Sequence, residues 1–175
     1  MRLTVNGVQH DVLSPPLATL LHVLREELTV TSPKAGCQQG GCGTCTVLVD
    51  GEPRRSCLTA IATVDGAEIT TLEGLGEPAS MSVVQAAFHN RYAAQCGFCT
   101  PGMIMAATAL IDRMGGPVER HDVLEALGGH YCRCTGYVKI VDAVMAASRG
   151  EVEPVHDLPE PDESEPDVLV KGSPA

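Results

Sequence analysis

Eight cysteines stand in two groups of four, and their spacing carries the chemistry of this chain. The first group is Cys37, Cys42, Cys45 and Cys57, a C-x4-C-x2-C run with a fourth cysteine twelve positions further on. Such a run with a distant fourth thiolate is an arrangement that holds a [2Fe–2S] cluster. Gly36, Gly40, Gly41 and Gly43 lie among these ligands. Three thiolates converging from one short loop demand backbone with φ > 0, which glycine supplies. A loop poor in side chains also lets backbone N–H groups point at sulfur, which offsets the cluster's negative charge and raises its potential. A structural zinc ion with disulfides is the competing reading, although zinc favours two C-x2-C knuckles around a tetrahedral metal. The second group is Cys96, Cys99, Cys132 and Cys134, a C-x2-C and a C-x-C. Each pair precedes a predicted helix start, at Thr100-Pro101 and Thr135-Gly136. The positive end of a helix dipole favours thiolates and anionic clusters there. By spacing alone this second group fits a cluster or zinc.

The elements that must position these residues change character midway. Residues 1–5 alternate in apolarity, Asn6-Gly7 is a hairpin turn signal, and residues 8–12 form the return strand. Ser14-Pro15-Pro16 predicts a helix start, with Leu17, Leu20, Leu21, Leu24 and Leu28 on one apolar face. After the glycine-rich loop, residues 46–49 read as a strand, Asp50-Gly51 as a turn, residues 54–58 as its partner and 67–72 as one more strand. From Ser80 the pattern is helical: residues 81–92, 101–114, 118–127 and 135–148, with Ser80, Thr100 and Thr135 as N-caps. Gly115-Gly116 and Gly128-Gly129 stop two of these helices. The reading is α+β: residues 1–76 a small mixed unit, residues 77–150 a helical bundle, residues 151–175 a tail.

Composition narrows the function classes. The chain has 175 residues, 44% apolar, with no Trp, two Phe and three Tyr, so Leu, Val, Ile, Ala and Met must build the core. The net charge of −10 argues against a nucleic-acid partner. Within the tail, eight carboxylates against Lys171 leave −7, and five prolines accompany them, so it reads as an extended arm, with Val168-Leu169-Val170 as an anchor on a partner or the whole as a solvated tail. The start of the chain reads as a strand rather than a secretory leader, and no run is apolar enough to span a bilayer. The expectation is a cytoplasmic protein, where clustered cysteines mean metal or redox chemistry.

Two longer motifs resemble a known family. Gln95-Cys96-Gly97-Phe98-Cys99-Thr100-Pro101-Gly102 and Tyr131-Cys132-Arg133-Cys134-Thr135-Gly136-Tyr137 resemble the iron–sulfur subunit of molybdenum hydroxylases, the xanthine dehydrogenase, aldehyde oxidoreductase and carbon monoxide dehydrogenase family. The segment from Gly36-Cys37 through Cys42-Gly43-Thr44-Cys45-Thr46-Val47 is similar to its N-terminal cluster loop, and the resemblance covers residues 1–150. It implies a β-grasp, plant-type ferredoxin-like domain followed by a four-helix bundle with pseudo-twofold symmetry. It also implies that all eight cysteines ligate two [2Fe–2S] clusters. The partners implied are a large molybdopterin subunit, with a cytosine dinucleotide if the source is bacterial, and a medium FAD subunit, assembled as a dimer of heterotrimers. Electrons would pass from molybdenum through the bundle cluster, then the ferredoxin-like cluster, to FAD.

Residue by residue, the resemblance assigns Gln95 to a hydrogen bond with the pterin, against the alternative of an amide satisfying a helix end. Cys134 would be the ligand nearest the pterin amino group. Gly43 and Gly97 read as backbone-shaping residues, and Phe98 as a shield between cluster and water or a core side chain. His130 stands where the family motif usually has Asn or a similar residue. It reads as a solvated loop histidine, with a hydrogen-bond donor toward the second cluster as the alternative. Cys57 departs from plant-type ferredoxins in its short distance from Cys45. No acid/base dyad, nucleophile or substrate pocket is evident, so the chain alone would not convert substrate. A free-standing two-cluster carrier is the alternative function.

Overall fold

The computed structural model describes residues 1–152. The acidic arm expected over residues 151–175, with its apolar anchor, lies outside the described residues but for Glu151 and Val152.

The chain opens with the expected hairpin, β1 (Arg2–Val5) and β2 (Val8–Asp11), paired antiparallel with Val5 opposite Val8. Asn6 and Gly7 both take positive φ, 51° and 80°, the turn that matches strand twist. A second hairpin joins β3 (Thr46–Val49) and β4 (Glu52–Arg55) through Asp50 and Gly51, again both at positive φ. β5 (Glu68–Thr70) lies between the hairpins, parallel to β1 and antiparallel to β3, giving the order β2-β1-β5-β3-β4. Strand β4 starts and ends earlier than the sequence pattern indicates, so Cys57 sits in the turn after it.

The first helix departs further from expectation. α1 (Leu20–His22) begins three residues after Leu17, capped by the Thr19 hydroxyl on the His22 N–H, and continues as a π turn over Val23–Glu27. Leu17 is 85% exposed and does not belong to the apolar face. Ser14 cannot start the helix because its N–H and hydroxyl, with the Leu13 N–H, are taken by the Glu27 carboxylate. Leu20, Val23 and Leu24 pack with Leu3, Val5, Val47, Val49, Ile61 and Ile69 as the core of this unit.

Four helices follow: α2 (Val83–Asn90), α3 (Thr100–Met114), α4 (Arg120–Ala126) and α5 (Val138–Ser148). Ser82, not Ser80, caps α2, and Gln85 completes a reciprocal capping box. α3 carries Pro101 in its first turn and ends at Gly115, which is left-handed at φ 65°. α5 starts three residues later than expected, because Thr135 spends its hydroxyl on the Cys132 sulfur and the Tyr137 N–H. The helices share one core in which Phe88, Met103, Val123, Ile140 and Val144 are buried.

The two units are packed against each other. Leu48 of β3 is buried with Met105 and Ala109 of α3. β3 is therefore buried along its whole length, with Val47 and Val49 facing α1 and Leu48 facing α3. Gly102 makes this contact possible, because a Cβ there would collide with the Gly43 carbonyl and lie 3.1 Å from the Thr44 Cα.

Candidate metal centres

The first four cysteines are gathered by the loop between α1 and β3 and by the turn after β4. Cys37 and Cys42 lie within hydrogen-bonding reach of each other, as do Cys45 and Cys57, and Cys57 also senses Cys37. The loop supplies the expected donors to sulfur. N–H groups of Gln39, Cys42 and Gly41 face Cys37, and the Gly40 N–H faces Cys57. These donors, Gln39 first, bring the Cys37 thiol down to about 7. Burial, helped by the neighbouring Cys45, pushes Cys57 up to about 11. Metal-free, Cys57 therefore holds its proton, which a metal bound there would displace. Gly40 and Gly43 sit at φ 78° and 77°. Leu58, two-thirds exposed, fills the space a Cβ on Gly40 would need.

The second four come from the α2–α3 and α4–α5 connections. Cys96 and Cys134 stand 3.6 Å apart, sulfur to sulfur, and both are exposed. Cys99, at the start of α3, is buried within reach of Cys132. Burial, then Cys132, pushes Cys99 up to about 12. Burial also acts upward on Cys132, but the Thr135 hydroxyl, 3.1 Å from its sulfur, and the Thr135 and Cys134 N–H groups bring it below its ordinary value. Cys134 is raised by its neighbour Cys96.

All eight cysteines are free, and each group is arranged two by two. A two-iron centre takes two thiolates on each iron, and the paired arrangement fits it better than one tetrahedral zinc.

The remaining sequence candidates fall as follows. Gln95 is exposed beside Cys96. Gly97 has φ 77°. Phe98 is 48% exposed, and its ring edge would lie 3.3 Å from a Cβ on Gly36, so it covers the first loop from the second unit rather than entering a core. His130 is not a solvated loop residue. It is 4% exposed, with Nε2 3.0 Å from both Thr46 Oγ1 and Arg55 Nη1. Burial, then Arg55, holds it at about 4, so the ring is neutral. Arg55 only donates, so Nε2 accepts and Nδ1 carries the proton. Nδ1 has no hydrogen-bond partner among the described residues. Arg55 itself was not a candidate from sequence. Its Nη1 also bonds Thr46 Oγ1, its Nη2 donates to the Gly129 carbonyl at 2.9 Å, and no local motif marks it.

Comparison with known proteins places this geometry. A family described as "2Fe-2S iron-sulfur cluster binding domain" matches residues 3–72, and one described as "[2Fe-2S] binding domain" matches residues 71–145. The nicotinate dehydrogenase small FeS subunit of Eubacterium barkeri is 42% identical over 147 residues, covering 84% of this chain and 93% of that one. The aldehyde oxidoreductase of Megalodesulfovibrio gigas is 45% identical over 149 residues, 83% of this chain, and the chain spans only 16% of that protein's length. In the crystal structure of quinoline 2-oxidoreductase from Pseudomonas putida 86, a chain 42% identical superposes with a TM-score of 0.77, covering 87% of this chain and 98% of that one.

Proposed function

This chain belongs to the iron–sulfur subunits of the molybdenum hydroxylases, and on that footing we propose that its eight cysteines hold two [2Fe–2S] clusters through which electrons leave a molybdopterin centre for FAD. Cys37, Cys42, Cys45 and Cys57 hold the first, and Cys96, Cys99, Cys132 and Cys134 the second. When bound, each cluster accepts and releases one electron. The chain's own residues position the two centres and set their potentials through N–H donors, burial and neighbouring charge.

The observation that carries this reading is the outward-to-inward order of the sulfurs. Cys96 and Cys134 are exposed on the second unit, with Gln95 beside them, while Cys99 is buried behind them. Cys42 meets the second unit through Tyr131, whose N–H donates to its carbonyl. This supports electron arrival at Cys96 and Cys134 from a pterin that Gln95 and Cys134 contact, and departure from the first loop. The partners are a large molybdopterin subunit, carrying the cytosine dinucleotide form, and a medium FAD subunit, in a cytoplasmic dimer of heterotrimers. Cysteines committed to clusters rather than to disulfides suit that reducing compartment. Among the described residues no helix is long and apolar enough to cross a membrane. Exposed apolar side chains next to the ligands, Leu58, Phe98 and Tyr131, favour a subunit over a free carrier, which would be polar nearly all round.

In structural terms we read residues 1–76 as a β-grasp ferredoxin-like domain and residues 77–150 as a four-helix bundle. The mixed five-stranded sheet and the shared core of α2 to α5 support that division. Purification of the native complex tests the function. The expected result is copurification with two larger polypeptides and about four irons and four sulfides per chain. A colourless chain without sulfide, or one that purifies alone with both clusters loaded, would overturn it.

A further inference from the structure

Cys42 and Cys132 belong to different quartets, yet a short run of covalent bonds crossed by one hydrogen bond joins their sulfurs. The Tyr131 N–H, next along the chain from Cys132, donates to the Cys42 carbonyl over 3.0 Å. Electron tunnelling weakens steeply with separation, and it is carried better along bonds and hydrogen bonds than across gaps. The bond is braced on both sides. Arg55, on β4, reaches from the sheet unit to the other, with Nη1 on His130 Nε2 at 3.0 Å and Nη2 on the Gly129 carbonyl at 2.9 Å. The same Nη1 donates to Thr46, whose hydroxyl donates to the Gly43 carbonyl at 2.6 Å. The His130 ring lies against Gly43, where a Cβ would come 2.7 Å from the ring Cγ and 2.8 Å from the Gly129 carbonyl. One guanidinium thus clamps segment 42–44 to segment 129–131 through a planar fork that lysine cannot reproduce.

We propose that Arg55 and His130 are positioning residues that hold the Cys42–Tyr131 hydrogen bond in place, and with it the rate at which an electron crosses between the two clusters. The proposal rests on the reading that both quartets hold [2Fe–2S] clusters. The step it governs moves one electron: the second centre is oxidised by one, the first reduced by one, no bond is made and no proton moves. Arg55 acts on the distance, not on the driving force.

The test uses the intact complex and the Arg55→Lys, His130→Ala and His130→Gln variants. A substoichiometric pulse of deazaflavin radical supplies the electron, and absorption follows its redistribution between the two centres. Potentiometric titration monitored by electron paramagnetic resonance gives each potential. Arg55→Lys keeps the charge but loses the fork. The expected result is full iron loading, unchanged potentials and redistribution about tenfold slower. His130→Ala follows it, and His130→Gln, which keeps an acceptor for Arg55, restores most of the rate. Redistribution at the wild-type rate in Arg55→Lys overturns the proposal. So does slowing that merely tracks a shifted potential, and so does cluster loss in Arg55→Lys, which would make Arg55 a cluster-retention residue. A wild-type complex without two paired-iron signals would instead overturn the underlying reading.

Discussion

Gly43 and Gly102 show how single residues govern the contact between the two cysteine groups. Gly43 has φ 77° and the His130 ring against it, and Gly102 brings α3 onto the Gly43 carbonyl. Alanine at 102 meets backbone, which cannot swing aside as a flexible side chain can. Gly102→Ala should therefore destabilise the chain by about 1–3 kcal/mol, as overpacking does. Chemical unfolding of the cluster-loaded chain reads this directly, and unchanged stability would show that the interface can open without loss. Gly43 was legible in the sequence as a backbone-shaping residue. His130 was not, because its partners Thr46 and Arg55 lie 84 and 75 positions away and no short window contains them. A histidine after two glycines reads as a solvated loop residue until the sheet unit is laid against it.

At the scale of elements, carboxylates tie loops to helices and turns. Glu27 accepts from Leu13 and Ser14, and these donors, Leu13 first, hold its carboxyl below the ordinary value. The locked loop displays Leu13 and Leu17 at 90% and 85% exposure. Leu13→Ser with Leu17→Ser should weaken assembly with the partner subunits, while leaving thermal stability within about 0.5 kcal/mol, as surface changes do. Titration of this double variant against the purified partners measures the first, and unaltered affinity would place the interface elsewhere.

Glu73 does similar work between units of sequence 41 positions apart, receiving the Ser32 N–H and hydroxyl as well as the Thr71 hydroxyl. Burial alone would raise its carboxyl, but those donors bring it below 4.5. A depressed folded value means that the stability it contributes is complete above pH 4.5 and is lost as acid protonates the folded carboxylate. Wild-type stability should thus fall more steeply from pH 4.5 downward than that of Glu73→Gln. Guanidinium unfolding of both at matched pH checks this, since cluster effects cancel in the difference. Parallel curves would remove Glu73 from the acid response.

Across the whole molecule the sulfurs run from an exposed edge at Cys96 and Cys134, past Cys99 and Cys132 behind them, to Cys42 of the first loop, which Tyr131 meets. Cys134→Ser should impair reduction of both clusters by the complex's substrate, since it damages the arrival point. Electron paramagnetic resonance of the substrate-reduced complex distinguishes the two centres. Normal reduction of the first cluster in that variant would contradict the proposed order. The face that β3 presents to α3 belongs to this scale as well. Leu48 is buried against Met105 and Ala109 of the helical unit, so the sheet unit alone would leave part of this apolar strip in water.

The local signals were strong where chemistry or backbone shape is decided within a few residues. Cysteine spacing marked out the two quartets of sulfurs, Asn6-Gly7 and Asp50-Gly51 announced both hairpins, and Pro101 and Gly115 bounded α3. Helix and strand ends were misjudged wherever a side chain chose between two partners: Thr19 over Ser14, Ser82 over Ser80, and Thr135 toward the Cys132 sulfur. Such choices turn on hydrogen bonds whose geometry exists only after folding. The tertiary structure alone decided the burial of His130, the fork of Arg55 and the meeting of Cys42 with Tyr131. These contacts join segments far apart in the chain, and nothing in either segment encodes the other until the packing of α3 on β3 brings them together.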